Sequence, residues 1–134
     1  LSSIPEGATI VGAKLSLYHK SDAPNEGHSQ LSGSNECEIR RVIEHWDEKT
    51  ITWNNAPADT EINKATLPAS TSSDQDYIDL NVTALLKDSF ENPSSNFGFV
   101  IRMKTEEYYR SLTFASSDLP DPNKHPKLEV TYTK

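Results

Sequence analysis

Apolar and polar residues alternate along several short segments, the period of a strand that buries one face. After the turn Pro5-Glu6-Gly7, Ala13, Leu15 and Leu17 alternate with Lys14, Ser16 and Tyr18, which predicts a strand within Ala8 to Tyr18. The cleanest alternation sets Phe97, Phe99, Ile101 and Met103 against Gly98, Val100, Arg102 and Lys104. Leu112 and Phe114 share a face within Arg110 to Ala115, and Leu128, Val130 and Tyr132 share one in the closing strand. Glu36 to His45 is also strand material, but Ile39, Val42 and Ile43 break strict alternation and predict a bulge or turn. Shorter strands are expected at Thr50 to Trp53, around Lys64 to Leu67 and at Tyr77 to Leu80.

One stretch has a different period. Val82, Leu85, Leu86 and Phe90 recur at helical spacing, and Asp79 or Asn81 stands ready to cap a short amphipathic helix that ends before Asn92-Pro93. Between these elements lie polar, turn-rich connections at Lys20 to Asn35, Ser70 to Gln75 and Ser116 to Pro126. Several half-apolar strands with no strand-helix-strand rhythm are buried most readily as two antiparallel sheets packed face to face. The expected fold is therefore an all-β, jelly-roll-like antiparallel sandwich with one short helix, formed as a single domain over residues 1–134.

Composition narrows the function classes. Only 34% of the 134 residues are hydrophobic, which suits a thin core with a wet outer face. Twenty acidic against 13 basic residues give a net charge of −7 without a Lys/Arg stripe, which argues against a nucleic-acid partner. No apolar run is long enough for membrane insertion. Cys37 is the only cysteine, so no intrachain disulfide forms, and it is expected to be a small inward-facing filler. The chain opens on Leu1-Ser2-Ser3-Ile4-Pro5 and has the look of a mature fragment or of a domain cut from a larger protein, in which neighbouring domains would be its partners.

Candidate chemistry is sparse. Asp47 and Glu48 are the one acidic pair beside aromatics, and adjacent strand residues face opposite ways, so no catalytic residues are assigned and the domain is not expected to be an enzyme. His19, His28, His45 and His125 lack the short spacing of a zinc site. No cofactor is expected beyond a structural Ca²⁺, for which Asp22, Glu36, Asp118, Asp121 and Asn123 are candidate oxygen donors. Trp53 is expected in the core and Trp46 at its margin, where an indole face could still stack on a sugar, while Asn54 and Asn55 are expected to form a corner.

Taken in order, Ile4-Pro5-Glu6-Gly7-Ala8-Thr9-Ile10, Ala13-Lys14-Leu15-Ser16-Leu17-Tyr18, Asp79-Leu80-Asn81-Val82-Thr83-Ala84-Leu85, Asn96-Phe97-Gly98-Phe99 and Pro126-Lys127-Leu128-Glu129-Val130-Thr131-Tyr132 cover most of the chain. With the more specific block Trp46-Asp47-Glu48-Lys49-Thr50-Ile51-Thr52-Trp53-Asn54-Asn55-Ala56-Pro57 and with Phe114-Ala115-Ser116-Ser117-Asp118, they resemble the DNRLRE-type domains of secreted and surface-attached microbial proteins, classed among carbohydrate-binding modules. The resemblance implies a jelly-roll sandwich, a secreted or cell-surface location and, for some members, binding of acidic polysaccharides such as alginate. It also implies that strands found ahead of Leu1 in other members are missing here or are supplied by preceding polypeptide.

The partner expected on this basis is a polysaccharide or other surface glycan, and the alternative is a structural or adhesive spacer that binds none. Arg102, Lys104 and Arg110 beside Tyr108 and Tyr109, with Trp46 as a further stacking surface, are the expected ligand-binding residues. A guanidinium matches a uronate carboxylate in a two-pronged fit, and a tyrosine ring offers a stacking face.

Overall fold

A computed structural model describes residues 4–21 and 27–134. Among these residues eight strands and one α-helix follow in order: β1 Thr9–Leu17, β2 Ser29–Gln30, β3 Cys37–Val42, β4 Asp59–Leu67, β5 Tyr77–Asn81, α1 Thr83–Glu91, β6 Phe99–Met103, β7 Arg110–Ser111 and β8 Lys127–Thr133. They form two three-stranded sheets, ordered β5-β1-β8 and β4-β3-β6, and a two-stranded ribbon of β2 and β7. Every pairing among them is antiparallel. The inner faces of both larger sheets meet in one core of Ile10, Ala13, Leu17, Cys37, Ile39, Leu67 and Tyr77, closed by Val82, Leu85 and Leu86 from the start of α1 and the residue before it. This is the jelly-roll-like β-sandwich architecture with one short helix.

Irregular backbone keeps the apolar residues on the correct side. Ile10 and Ala13 are both buried although they are three residues apart. The β1–β8 register shifts between Ile10 and Gly12, and that extra residue restores the inward parity. On the other edge of β1 the register shifts between Leu15 and Leu17, opposite Asp79, whose φ of 57° marks the bulged residue. Asn81, not Asp79, serves the helix: its Oδ1 accepts a hydrogen bond from the Thr83 amide at 3.0 Å. The irregularity expected in the Ile39–Ile43 region lies across from it in β4, between Ala65 and Thr60, where Asn63 has a φ of 57°.

Several elements depart from the expectations. Thr50 to Trp53 is no strand; Trp53–Asn55 is a 3-10 turn, because the Asn55 side chain takes hydrogen bonds from the Thr52 amide and hydroxyl and donates to Thr50 O, closing the segment on itself. Trp53 is consequently 72% exposed and outside the core. The Lys20 to Asn35 connection contains β2, which pairs with β7 through Ser29 with Ser111 and Gln30 with Arg110. The strand expected at Arg110 to Ala115 is reduced to β7 and an isolated bridge between His19 and Phe114, whereas β4 runs the full length from Asp59. Phe99 and Met103 pack on the core, but Ile101 is 38% exposed because β6 is an edge strand.

Polar side chains inside the fold hold the long connections. Asn35 is fully buried; its Nδ2 donates to Ser70 Oγ at 2.9 Å and to Ser111 O at 3.0 Å, and its Oδ1 accepts from the Ser70 amide at 2.9 Å. His28 is buried against Tyr77 and Phe114. Its Nδ1 accepts from the Thr113 amide at 3.0 Å, which leaves Nε2–H to donate to Gln75 O at 2.8 Å and makes the ring neutral. A β-carbon at position 27 would collide with the Ser73 carbonyl and approach His19 Nε2 to 2.7 Å, so this tight approach needs Gly27 at a φ of 95°. Across the core, Arg41 Nε donates to Asp88 Oδ2 at 2.5 Å and Arg41 Nη1 to Ser95 O at 2.6 Å, tying α1 and the turn after it to β3. Cys37 fills the core as expected, and burial pushes its thiol up to about 11.

Removing one member of the buried Arg41–Asp88 pair strands the other charge. Arg41→Met is expected to cost about 3–5 kcal/mol in urea unfolding, and Arg41→Met combined with Asp88→Leu is expected to recover part of that loss. A loss no larger than that of a surface substitution would show that the pair does not fasten the helix.

Burial, reinforced by the neighbouring His19 and opposed by the Gln75 carbonyl and by Asp74 and Asp76, holds His28 below the ordinary imidazole range; Lys124 is already bound to Asp76. The unfolded chain therefore takes up the proton more readily than the native state. The resulting stability is complete above about pH 6.5 and is lost as the pH falls through the lower native value. Urea midpoints measured across this range should fall with pH in the wild type and fall less steeply in His28→Asn, and equal slopes would remove His28 as a source of acid sensitivity.

Candidate functional site

A cleft of about 610 Å³ lies between the 3-10 turn and the edge strand β6. Ile51, Thr52, Trp53 and Ala56 form one wall, Val100 to Met103 the other, and Glu106, Glu107 and Arg110 its end. It is built from three segments far apart in sequence. The first presents Trp53 because Asn55 fastens the turn beneath it, the second presents its wall because β6 has β3 on one side only, and the third is carried by the β2–β7 ribbon.

The two arginines are already oriented. Arg102 Nε donates to Asp59 Oδ2 at 2.5 Å, and among the described residues its two terminal amino groups have no hydrogen-bond acceptor. Arg110 donates to Ser32 O from Nη2 at 2.6 Å and from Nε at 3.2 Å, and more weakly to Thr105 O; among the described residues no carboxylate neutralises it. Its guanidinium lies across Gly33, whose φ is 125° and where a β-carbon would meet Nη2 at 2.6 Å. A residue other than glycine there would displace the arginine.

The outer face behind Arg102 is a closed charge network. Arg40 reaches Glu38 at 2.5 Å, Glu61 at 2.9 Å and Asp59 at 3.1 Å, while Lys64 reaches Glu38 at 2.8 Å and Glu61 at 3.1 Å. Hydrogen bonds from Lys64 and Arg40 hold the Glu38 carboxyl below its usual range. The three cations and three carboxylates, Arg102 and Asp59 included, balance, so the network has no net charge and holds Arg102 in place.

Of the expected binding residues, Arg102 and Arg110 line the cleft. Tyr108 lines a hollow of about 340 Å³ with Glu106 and Glu107, the two residues that also end the cleft. Tyr109 lies on the same turn, which is not a hairpin between β6 and β7, since β7 pairs with β2. Lys104 is spent in an ion pair with Glu36. Trp46 is outside the cleft lining; it is half exposed, and its Nε1 donates to Phe97 O at 2.8 Å.

Sequence reasoning missed Trp53, Ile51, Glu106 and Glu107 as cleft residues. The signal for Trp53 was present: Thr52 and Asn55 stand three apart, and Asn54 to Pro57 leaves too few residues for a paired strand. For Glu106 and Glu107 no local signal exists, because their place follows from where the ribbon docks.

Glu36 pairs with Lys104, Asp121 Oδ1 accepts from Asn123 N and Nδ2 at 3.0 and 2.9 Å, the Asp118 amide bonds Ser116 Oγ, and Asp22 lies outside the described residues. Among the described residues no group of three or more His, Cys, Asp or Glu side chains is arranged to hold a metal ion. Asp47 is a turn former, accepting from the Lys49 amide through Oδ1 at 2.7 Å. No helix among the described residues is long and apolar enough to cross a membrane.

No curated protein matches the chain. The model of carbohydrate-binding module family 96 matches residues 1–132, nearly the whole chain, and the protein belongs to that family.

Proposed function

We propose that the domain binds an acidic polysaccharide in the cleft between the 51–56 turn and β6, stacking one sugar on Trp53 and placing a uronate carboxylate against Arg102 and Arg110. The domain is a carbohydrate-binding module, a non-catalytic class, so its contribution is affinity and not turnover. The observation that carries the finer reading is an indole 72% exposed in a cleft whose two guanidiniums are held by the protein itself. Among the described residues nothing covers that ring, and an apolar ring of this size left in water marks a binding surface.

Arginine groups already fixed in place lose little freedom on binding, which favours a planar carboxylate over an unoriented charge. Glu106 and Glu107 stand at the Arg110 end of the cleft, where they offer acceptors for sugar hydroxyls beside the guanidinium. The protein's overall charge of −7 also opposes a polyanion, which makes Arg110, whose charge no carboxylate among the described residues meets, necessary to the reading. The likeness to DNRLRE-type domains supports alginate as the first polymer to test and a secreted or surface-attached parent protein with neighbouring domains.

Affinity electrophoresis on alginate, pectin and neutral glucans should show retardation by the acidic polymers. Trp53→Ala should weaken alginate binding by about tenfold or more, equivalent to roughly 1.4 kcal/mol, and Arg102→Ala/Arg110→Ala should remove the preference for acidic over neutral polymers. Equal migration on every gel, wild type included, would leave the spacer role as the function. Retardation by neutral polymers alone, insensitive to the arginine pair, would overturn the uronate assignment and keep the module.

A further inference from the structure

The turn ahead of β7 carries the two most exposed aromatic rings of the described residues. Tyr108 is 87% exposed and Tyr109 74% exposed, and no hydrogen-bond partner for either hydroxyl is found among the described residues. Tyr109 also holds a φ of 64°, a left-handed conformation that a bulky side chain adopts only at an energetic cost and that glycine or asparagine adopts readily.

The backbone beneath these rings is tightly held. Arg110 N donates to Glu107 O at 3.3 Å across the turn, Ser29 Oγ donates to Tyr109 O at 2.6 Å, and Ser32 Oγ donates to Tyr108 O. The rings are thus presented from a rigid support at a position where the fold itself would favour a smaller residue. Strain of this kind, maintained at an exposed site, points to use.

The position is continuous with the cleft. Glu106 and Glu107 line both the Trp53 cleft and the hollow beside Tyr108. We infer that the Tyr108–Tyr109 turn is a second stacking platform for the same glycan chain, so that the domain grips an internal stretch of a polymer across two platforms. The inference rests on the binding reading above. Between the platforms, Glu106 and Glu107 accept hydrogen bonds from sugar hydroxyls, an arrangement that suits an extended polyhydroxylated chain and gives a short oligosaccharide nothing beyond the first platform. Tyrosine is suited to the task because it offers large contact area with few rotatable bonds to freeze.

The test compares short alginate oligosaccharides, able to cover Trp53 alone, with long ones in calorimetric titrations of the wild type, Trp53→Ala, Tyr108→Ala and Tyr109→Gly. The wild type should bind the long chains about tenfold more tightly than the short ones, and Tyr108→Ala and Tyr109→Gly should abolish that gain while leaving short-chain affinity unchanged. Trp53→Ala should weaken both. Tyr109→Gly should keep a thermal midpoint no lower than the wild type, because glycine adopts the left-handed conformation freely.

Affinity independent of chain length, with Trp53→Ala still impaired, would overturn the second platform and leave the cleft standing. A lowered midpoint in Tyr109→Gly would assign Tyr109 to stability and overturn its role here. Self-association of the glycan-free protein in sedimentation, lost in Tyr108→Ala, would instead make the turn a contact between copies. Failure of the wild type to bind alginate of any length would overturn both readings together.

Discussion

Asn35 has no exposure to solvent, and its amide joins three stretches of chain: the approach to β3, the Ser70 region after β4, and Ser111 of β7. A buried amide left without partners would be heavily penalised, so its hydrogen bonds specify one arrangement of those stretches. With a single cysteine and an apolar fraction of 34%, the domain has no disulfide and little surplus core with which to fix its long connections. Asn35, His28 and the Arg41–Asp88 pair do that work. The ribbon of β2 and β7 stays in place because of Asn35 and His28, and the candidate site depends on the ribbon.

The site is an outcome of docking three pieces that lie far apart in the sequence. The 3-10 turn contributes an indole, the edge strand an apolar wall, and the segment leading into the ribbon two carboxylates and a guanidinium. Each is held by hydrogen bonds made behind the cleft: Asn55 under Trp53, Asp59 behind Arg102, and Ser32 behind Arg110. Side chains anchored in this way lose little entropy when a ligand arrives, which is how a shallow surface can achieve useful affinity without a deep pocket.

The outer-face charge network shows why counting basic residues is a poor guide to ligand charge. Arg40 and Lys64 are fully matched by Glu38, Asp59 and Glu61, and Lys104 by Glu36. Arg110 meets only backbone carbonyls among the described residues, and a carbonyl dipole orients a guanidinium without cancelling its charge. The difference between a structural cation and an available one lies in what surrounds it.

Period-two alternation in Ala13 to Leu17, Phe97 to Met103 and Leu128 to Tyr132, with helical spacing from Val82 to Phe90, was enough to determine the sandwich and its single helix, because side-chain direction in a regular element is a property of the local backbone. The same local logic misplaced Trp53. Four residues of β-forming character become a strand only when a neighbour pairs with them, and here Asn55 closed the segment first. Whether Ile101 is buried depends on β6 being an edge, whether His28 and Asn35 act as fasteners depends on contacts with chain 35 to 85 residues away, and whether Arg102 and Lys104 are paired depends on Asp59 and Glu36, carboxylates brought from elsewhere in the chain. Those are facts about pairing between distant segments, which burial and topology decide and which no window along the sequence contains.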